Sequence, residues 1–309
     1  MPVETTWRPA FPLDVWRTLA PLRHGPGDPT IRLVDGGVWR ASRTAHGPAT
    51  LWIEPRAGVV SARAWGPGAE HVIATLPRLL GMDDDPDRFV PAHPLLRQLA
   101  IRFRGVRFGA SDRVLESLLP AVCEQKVTGT EAHRAWRGMV LRFGEPAPGP
   151  WEPAPTSTAI PRLWLAPEPG TLARVPYYEL HPVGLERRRS DVIRRVASRA
   201  AWLEDAGRLA PNDALARLMT IPGVGPWTAA ETARSAFGDP DAVSVGDFHV
   251  PNLVSWALAG EARGDDARML ELLEPYRGQR ARVVRLLELA GVSAPRFGPR
   301  FRPRSIAAI

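Results

Sequence analysis

The spacing of apolar positions changes character early in the chain. Val60, Ala62 and Ala64 alternate with polar residues, the period of a strand with one covered face. Strands are likewise expected at Thr30–Val34, Val38–Ala41, Thr50–Ile53 and Val59–Trp65. Asp35-Gly36-Gly37 and Pro55-Arg56-Ala57-Gly58 supply the turns between them. The period then lengthens: Val72, Ile73, Leu76, Leu79 and Leu80 form a helical stripe that Gly81 ends. Residues 1–88 thus predict a small antiparallel sheet with helical cover. Asp83-Asp84-Asp85-Pro86-Asp87 reads as a linker.

From about Pro91 the pattern is helical. Val114, Leu115, Leu118, Leu119 and Val122 share one face. Thr130 is expected to cap the next helix, whose face is Ala132, Ala135, Trp136, Met139 and Phe143, with Gly144 as its stop. The proline-rich stretch Glu145–Pro176 reads as a long surface connection. Helices are expected again at Arg188–Trp202, Asp213–Met219, Trp227–Phe237, Val250–Leu258 and Asp266–Ala290. The fold class is therefore α+β, an N-terminal antiparallel domain over 1–88 followed by an all-α domain over 89–309.

Composition narrows the function. The chain of 309 residues is 44% apolar and 24% charged, as in soluble globular proteins. No apolar run is long enough to span a membrane, and Met1-Pro2-Val3-Glu4 lacks the features of a signal peptide. A cytoplasmic, nucleoid-associated location is the resulting expectation. Cys123 is the only cysteine, so neither an internal disulfide nor a four-cysteine cluster is available; its apolar neighbours suggest packing. The net charge of +7 suits a polyanionic partner, although an arginine-rich surface alone gives the same balance. Lys126 is the only lysine.

The most informative stretch is 218–229, Leu218-Met219-Thr220-Ile221-Pro222-Gly223-Val224-Gly225-Pro226-Trp227-Thr228-Ala229. Proline at 222 ends one helix, and Pro226 suits the first position of the next. Gly223 and Gly225 allow positive φ and a close backbone approach. Amides at such a helix start can grip a phosphate without reading sequence. A plain turn between two helices is the competing reading.

This hairpin resembles that of the helix-hairpin-helix DNA glycosylases, in particular the AlkA-like 3-methyladenine glycosylase II group. The likeness extends to the loop 238–248, with Asp241-Ala242-Val243-Ser244-Val245-Gly246-Asp247-Phe248, and to Glu124-Gln125-Lys126-Val127-Thr128. It implies double-stranded DNA with damaged bases as the partner, with no membrane and no obligate protein partner. It also implies that no cofactor is required beyond a structural Na+ or K+ on the main-chain carbonyls of Met219, Ile221 and Val224. Gln125, Lys126, Thr128, Pro222, Gly223, Val224, Gly225 and Thr228 fall where relatives touch DNA, with Gln125 or Lys126 filling the gap of a flipped base.

Asp247 is the candidate catalytic residue. Breaking an N-glycosidic bond builds positive charge on the sugar, which a carboxylate beneath it stabilises. A helix N-cap is the other reading of this aspartate, since a helical stripe starts at Val250. Asp241 sits in a turn composition and reads as structural. Trp227 occupies the position of the Schiff-base lysine of bifunctional relatives, which implies a monofunctional, water-using enzyme. Trp227 and Glu231 are the candidate base contacts, by stacking and by hydrogen bonding to a base edge. Glu231 replaces a tyrosine of AlkA, and Gly246 replaces a second acidic residue. The expected activity is excision of alkylated purines such as 3-methyladenine and 7-methylguanine. A glycosylase for deaminated or oxidised bases and a non-catalytic DNA binder remain the alternatives.

Overall fold

The computed structural model describes residues 1–150 and 162–295. It begins with β1 (Val3–Trp7), α1 (Val15–Leu19), β2 (Ile31–Val34), β3 (Gly37–Thr44), β4 (Gly47–Arg56) and β5 (Val59–Trp65). The five strands form one antiparallel sheet in the order β1-β5-β4-β3-β2. The alternation at Val60, Ala62 and Ala64 is the pleat at work, since all three are buried. They pack with Val38, Leu51 and Ile53 against α1, α2 (Ala69–Ala74) and α3 (Leu76–Leu79). The fold is mixed α+β, as the pattern predicts, with β1 and α1 as additions to it.

The helical region contains α4 (Pro94–Arg102), α5 (Val114–Cys123) and α6 (Gly129–Phe143). The short ribbon β6 (Glu145–Pro146) and β7 (Trp164–Leu165) follows, then α7 (Pro169–Arg174) and α8 (Tyr177–Leu180). The remainder is α9 (Arg187–Ser198), α10 (Ala200–Glu204), α11 (Pro211–Met219), α12 (Pro226–Ala236), α13 (Val250–Ala259), α14 (Asp266–Leu273) and α15 (Arg280–Leu289). Two apolar cores run through it. One joins α5, α6 and α9–α12, with Leu118, Met139, Ile193 and Leu218 fully buried. The other joins α4 to α13–α15 around Leu96, Val254, Met269 and Val283.

Five expectations change. Thr128, not Thr130, caps α6: its hydroxyl accepts the Glu131 amide while the Glu131 carboxylate takes the Thr128 amide, a reciprocal capping box. The helix expected over 266–290 is two helices, because Pro275 and the left-handed Gly278 (φ 88°) break it. The helix expected over 188–202 likewise breaks at Arg199, between α9 and α10. The stretch 145–176 is more than a surface connection. Its described part folds back on the sheet, where Ala147, Leu163 and Leu165 bury against Trp39 and Ala41. Its residues 151–161 and the arginine-rich tail Arg296–Arg304 lie outside the described residues.

The acidic segment 83–87 is also no loose tether. The Asp84 side chain is buried and ion-paired to Arg282 of α15, which ties this segment to the helical region. Among the described residues no helix is long and apolar enough to cross a membrane.

Candidate active site and nucleic-acid interface

The hairpin between α11 and α12 is built around a tight turn in which the Val224 amide donates to the Ile221 carbonyl over 2.9 Å. Gly223 has φ +98°, a conformation that L side chains rarely adopt. Val192 of α9 closes the space where a Cβ would stand, so the glycine is required twice over. Pro226 starts α12, and the amides of Trp227 and Thr228 lie in its first turn, where no helical carbonyl reaches them.

The hairpin is braced from below. The Gln125 side-chain amide, just past the end of α5, donates to the Gly223 carbonyl (3.0 Å) and to the Thr228 hydroxyl (2.9 Å). Arg195 of α9 donates to the Pro222 carbonyl (3.2 Å). Thr228 is only 2% exposed and its hydroxyl accepts the Gln125 amide, so its side chain is turned inward to the brace. Val224 is buried as well, and its amide is engaged in the turn. Pro222, Gly223 and Lys126 are exposed. Lys126 has φ +55°, a strained backbone for a residue with a side chain.

The Ile221 carbonyl takes the Val224 amide and keeps a second lone pair.

The Asp247 loop runs from α12 to α13, and so from one core to the other. Gly246 takes φ +91° and its amide donates to the Asp266 carboxylate at the start of α14 (3.0 and 3.1 Å). This accounts for glycine at that position: the backbone must turn left-handed immediately before Asp247. The Asp247 carboxylate is divided between two tasks. Oδ1 accepts the amides of His249 (2.7 Å) and Val250 (2.9 Å) at the start of α13, and Oδ2 accepts Nε1 of Trp227 (2.9 Å). The N-cap position itself is His249, so Asp247 holds the start of α13 from two residues before the cap, with the same carboxylate that meets Trp227.

Glu231, one turn beyond Trp227 on α12, accepts from the Ser244 hydroxyl and pairs with Arg234. Asp241 stands apart from these residues in its bonding. It accepts the Gly278 and Arg280 amides and pairs with the Arg280 guanidinium.

Several residues near the site escape the sequence pattern. His24, in the loop before β2, bonds Glu124 at the end of α5 (3.2 Å) and meets Trp136 edge to face. Burial pushes the His24 pKa down, but the Glu124 bond and the charges of Glu124, Asp28 and Glu231 outweigh it and raise the value overall. Ser244 and Asp266 hold the aspartate loop. Phe248, beside Asp247, is 73% exposed. None carries a local signal: a buried serine or a helix-start aspartate acquires its role from a partner far away in sequence.

No family model matches the chain. A putative DNA-3-methyladenine glycosylase of Bacillus subtilis is 23% identical over 145 residues, 46% of each chain. The probable bifunctional transcriptional activator/DNA repair enzyme AlkA of Mycobacterium tuberculosis is 32% identical over 175 residues, 55% of this chain and 33% of that protein. The chain thus spans between a third and a half of the length of the curated relatives it matches.

Solved structures match over much more. The 3-methyladenine DNA-glycosylase from Archaeoglobus fulgidus has a TM-score of 0.76 at 20% identity, over 92% of this chain and 97% of that one. MBOgg1 in complex with a low affinity DNA ligand gives 0.72 at 13% identity, over 92% and 93%. The apo 8-oxoguanine glycosylase/lyase of Clostridium acetobutylicum gives 0.70 at 12% identity, over 92% and 95%.

Proposed function

We propose that this chain, which has the helix-hairpin-helix glycosylase fold and is related in sequence to proteins named for 3-methyladenine excision, is a monofunctional DNA glycosylase of base-excision repair acting on alkylated purines. The observation that carries the reading is the placement of Asp247 against Trp227, at the seam between the two helical cores. An electron-poor alkylated base, flipped from the duplex, stacks on the half-buried Trp227 ring by cation–π attraction. The Asp247 carboxylate lies beneath the sugar. Its negative charge offsets the positive charge that builds there as the base leaves, and it orients the attacking water.

Double-stranded DNA is held by the hairpin. The first-turn amide of Trp227 grips a phosphate, with Pro222 and the two glycines keeping bulk away from the backbone and buried Thr228 bracing the turn from inside. The carbonyls of Met219, Ile221 and Val224 would hold a Na+ or K+, which would add positive charge at the hairpin. Gln125 supports this surface from inside, and exposed Lys126 is the residue of that segment that reaches DNA. Thr128 acts as a helix cap that sets the direction of α6. Trp227 stands where a lyase needs an amine, so water is the nucleophile.

The test is release of 3-methyladenine and 7-methylguanine from methylated DNA by the wild type and by Asp247→Asn. Release by the wild type and a loss of at least ~100-fold in the variant are expected. Tight binding without release by the wild type overturns the reading in favour of a non-catalytic binder. Release confined to deaminated or oxidised bases moves the substrate class. Borohydride trapping of a covalent complex on abasic DNA overturns the monofunctional reading.

A further inference from the structure

We infer that Glu231 is a positioning residue that fixes Asp247 through Ser244, rather than a reader of the flipped base; the inference rests on the glycosylase reading above. Trp227 and Glu231 are four residues apart on α12 and therefore share one face. Each takes hold of the same loop. Trp227 bonds the Asp247 carboxylate, and Glu231 Oε1 accepts the Ser244 hydroxyl. The helix grips the loop at two points, one at the aspartate and one three residues before it.

The bonding of Glu231 leaves its charge engaged. The oxygen that takes Ser244 also pairs with Arg234, and the two charged side chains are only 22% and 19% exposed. Turning Glu231 toward a base edge would break a shielded ion pair and leave the Ser244 hydroxyl, 2% exposed, without its acceptor. A buried polar group stripped of its partner costs about 1–3 kcal/mol. An isolated Glu231–Arg234 pair would be an ordinary surface contact between neighbours on a helix. The Ser244 bond makes it a tie across the loop.

Ser244 transmits the grip directly, because its carbonyl accepts the Asp247 amide over 3.2 Å. Between the two lies Gly246, left-handed at φ +91° and with open space where a Cβ would be. A glycine immediately before a catalytic group is a pivot unless both sides are tied down. Asp266 holds the Gly246 amide, Trp227 holds the far side, and Glu231 with Arg234 behind it holds the near side. Displacement of a reacting group by ~1 Å can cost about 100-fold in rate.

The variants are Glu231→Ala, Glu231→Gln, Ser244→Ala and the double alanine. Three readouts are taken: the single-turnover rate of base release from methylated DNA, the affinity for abasic-site duplex, and the indole 15N–1H resonance of Trp227, assigned with Trp227→Phe. Each single alanine is expected to lower the rate about 10- to 100-fold, with affinity for abasic-site DNA unchanged within about twofold. The double alanine should be no worse than the poorer single one, because both cut the same tie. Glu231→Gln keeps an acceptor for Ser244 and should stay within a few-fold of wild type. The Trp227 resonance should move in both alanine variants toward its position in Asp247→Asn.

Additive losses in the double variant overturn the inference. So does a changed ratio of 3-methyladenine to 7-methylguanine release in the Glu231 variants that Ser244→Ala does not share. Should the wild type release no base, the function falls but the tie is still read by Trp227, whose unmoved resonance in Ser244→Ala overturns it. Ser244→Ala also serves if Glu231→Ala fails to fold.

Discussion

Trp227 Nε1 donates to Asp247 Oδ2 over 2.9 Å, and this bond ties α12, in one helical core, to the loop entering α13, in the other. Trp227→Phe keeps an aromatic face and removes the donor. A hydrogen bond to a charged group contributes about 1.5–3 kcal/mol, so single-turnover base release should fall roughly 10- to 100-fold. Affinity for abasic-site DNA should change little. An unaltered rate in a folded variant would show that the indole edge does not orient the carboxylate.

The two hairpin glycines should behave differently. A Cβ on Gly223 would stand 2.2 Å from Val192 Cγ2 and on a backbone at φ +98°. Gly223→Ala is therefore expected to lose about 2 kcal/mol or more, several degrees in thermal midpoint, and DNA affinity with it. A Cβ on Gly225 meets nothing within 4 Å. Gly225→Ala should keep the midpoint within about half a kcal/mol of stability while weakening DNA binding, because the methyl faces the space a phosphate backbone must enter. Calorimetry and fluorescence anisotropy on one set of samples separate the two.

His24 gives the chain a pH dependence of known sign. Its folded pKa is raised above the ordinary value of 6.5 by Glu124, Asp28 and Glu231, which together outweigh burial. A raised folded pKa contributes stability that is complete below 6.5 and is lost as pH rises through the folded value. His71 works oppositely: burial and Arg113 lower its pKa, so its contribution fades as pH falls. The difference between wild type and His24→Gln isolates the first effect. Wild type should hold its full thermal advantage over the variant below pH 6.5 and lose it progressively as pH rises above that. An advantage that grows with pH would refute the assignment.

The single thiol should be inert in the native protein. Cys123 is fully buried at the end of α5, and burial pushes its pKa up to about 12, against a smaller opposing effect of Arg189. At pH 8 the folded chain should not react with a disulfide reagent over an hour, and denaturant should release one equivalent. Rapid labelling without denaturant would place Cys123 at the surface.

What the sequence makes legible follows the range of the interaction concerned. The strand at 59–65 and the hairpin at 218–229 are encoded in neighbours, by alternation and by proline and glycine positions, and both stand where the pattern puts them. The α14–α15 break falls at Pro275 and Gly278, between the apolar positions Met269 and Leu273 of α14 and Val283 and Leu287 of α15. The burial of Leu163 and Leu165 was masked by the prolines around them. At the site, Trp227, Glu231 and Asp247 are visible as residue types at suggestive spacing. Their bonds are not, because the partner of Glu231 is thirteen residues away and that of Gly246 twenty. Ser244 and Asp266 acquire meaning only once α12, α13 and α14 have packed.

The strand order carries a consequence for how the chain assembles in time. Val3 pairs with Ala64, so β1 sits at the sheet edge against the strand of that sheet that is synthesised last. β3 and β4 can zip as a local hairpin while β1 waits, unpaired, for β5 to emerge. Closing so long a loop is slow compared with forming a hairpin. During that interval β5 offers a bare edge, the usual template for intermolecular pairing. A lesion in Val3–Trp7 should therefore appear as aggregation during refolding, well away from the chemistry at Asp247.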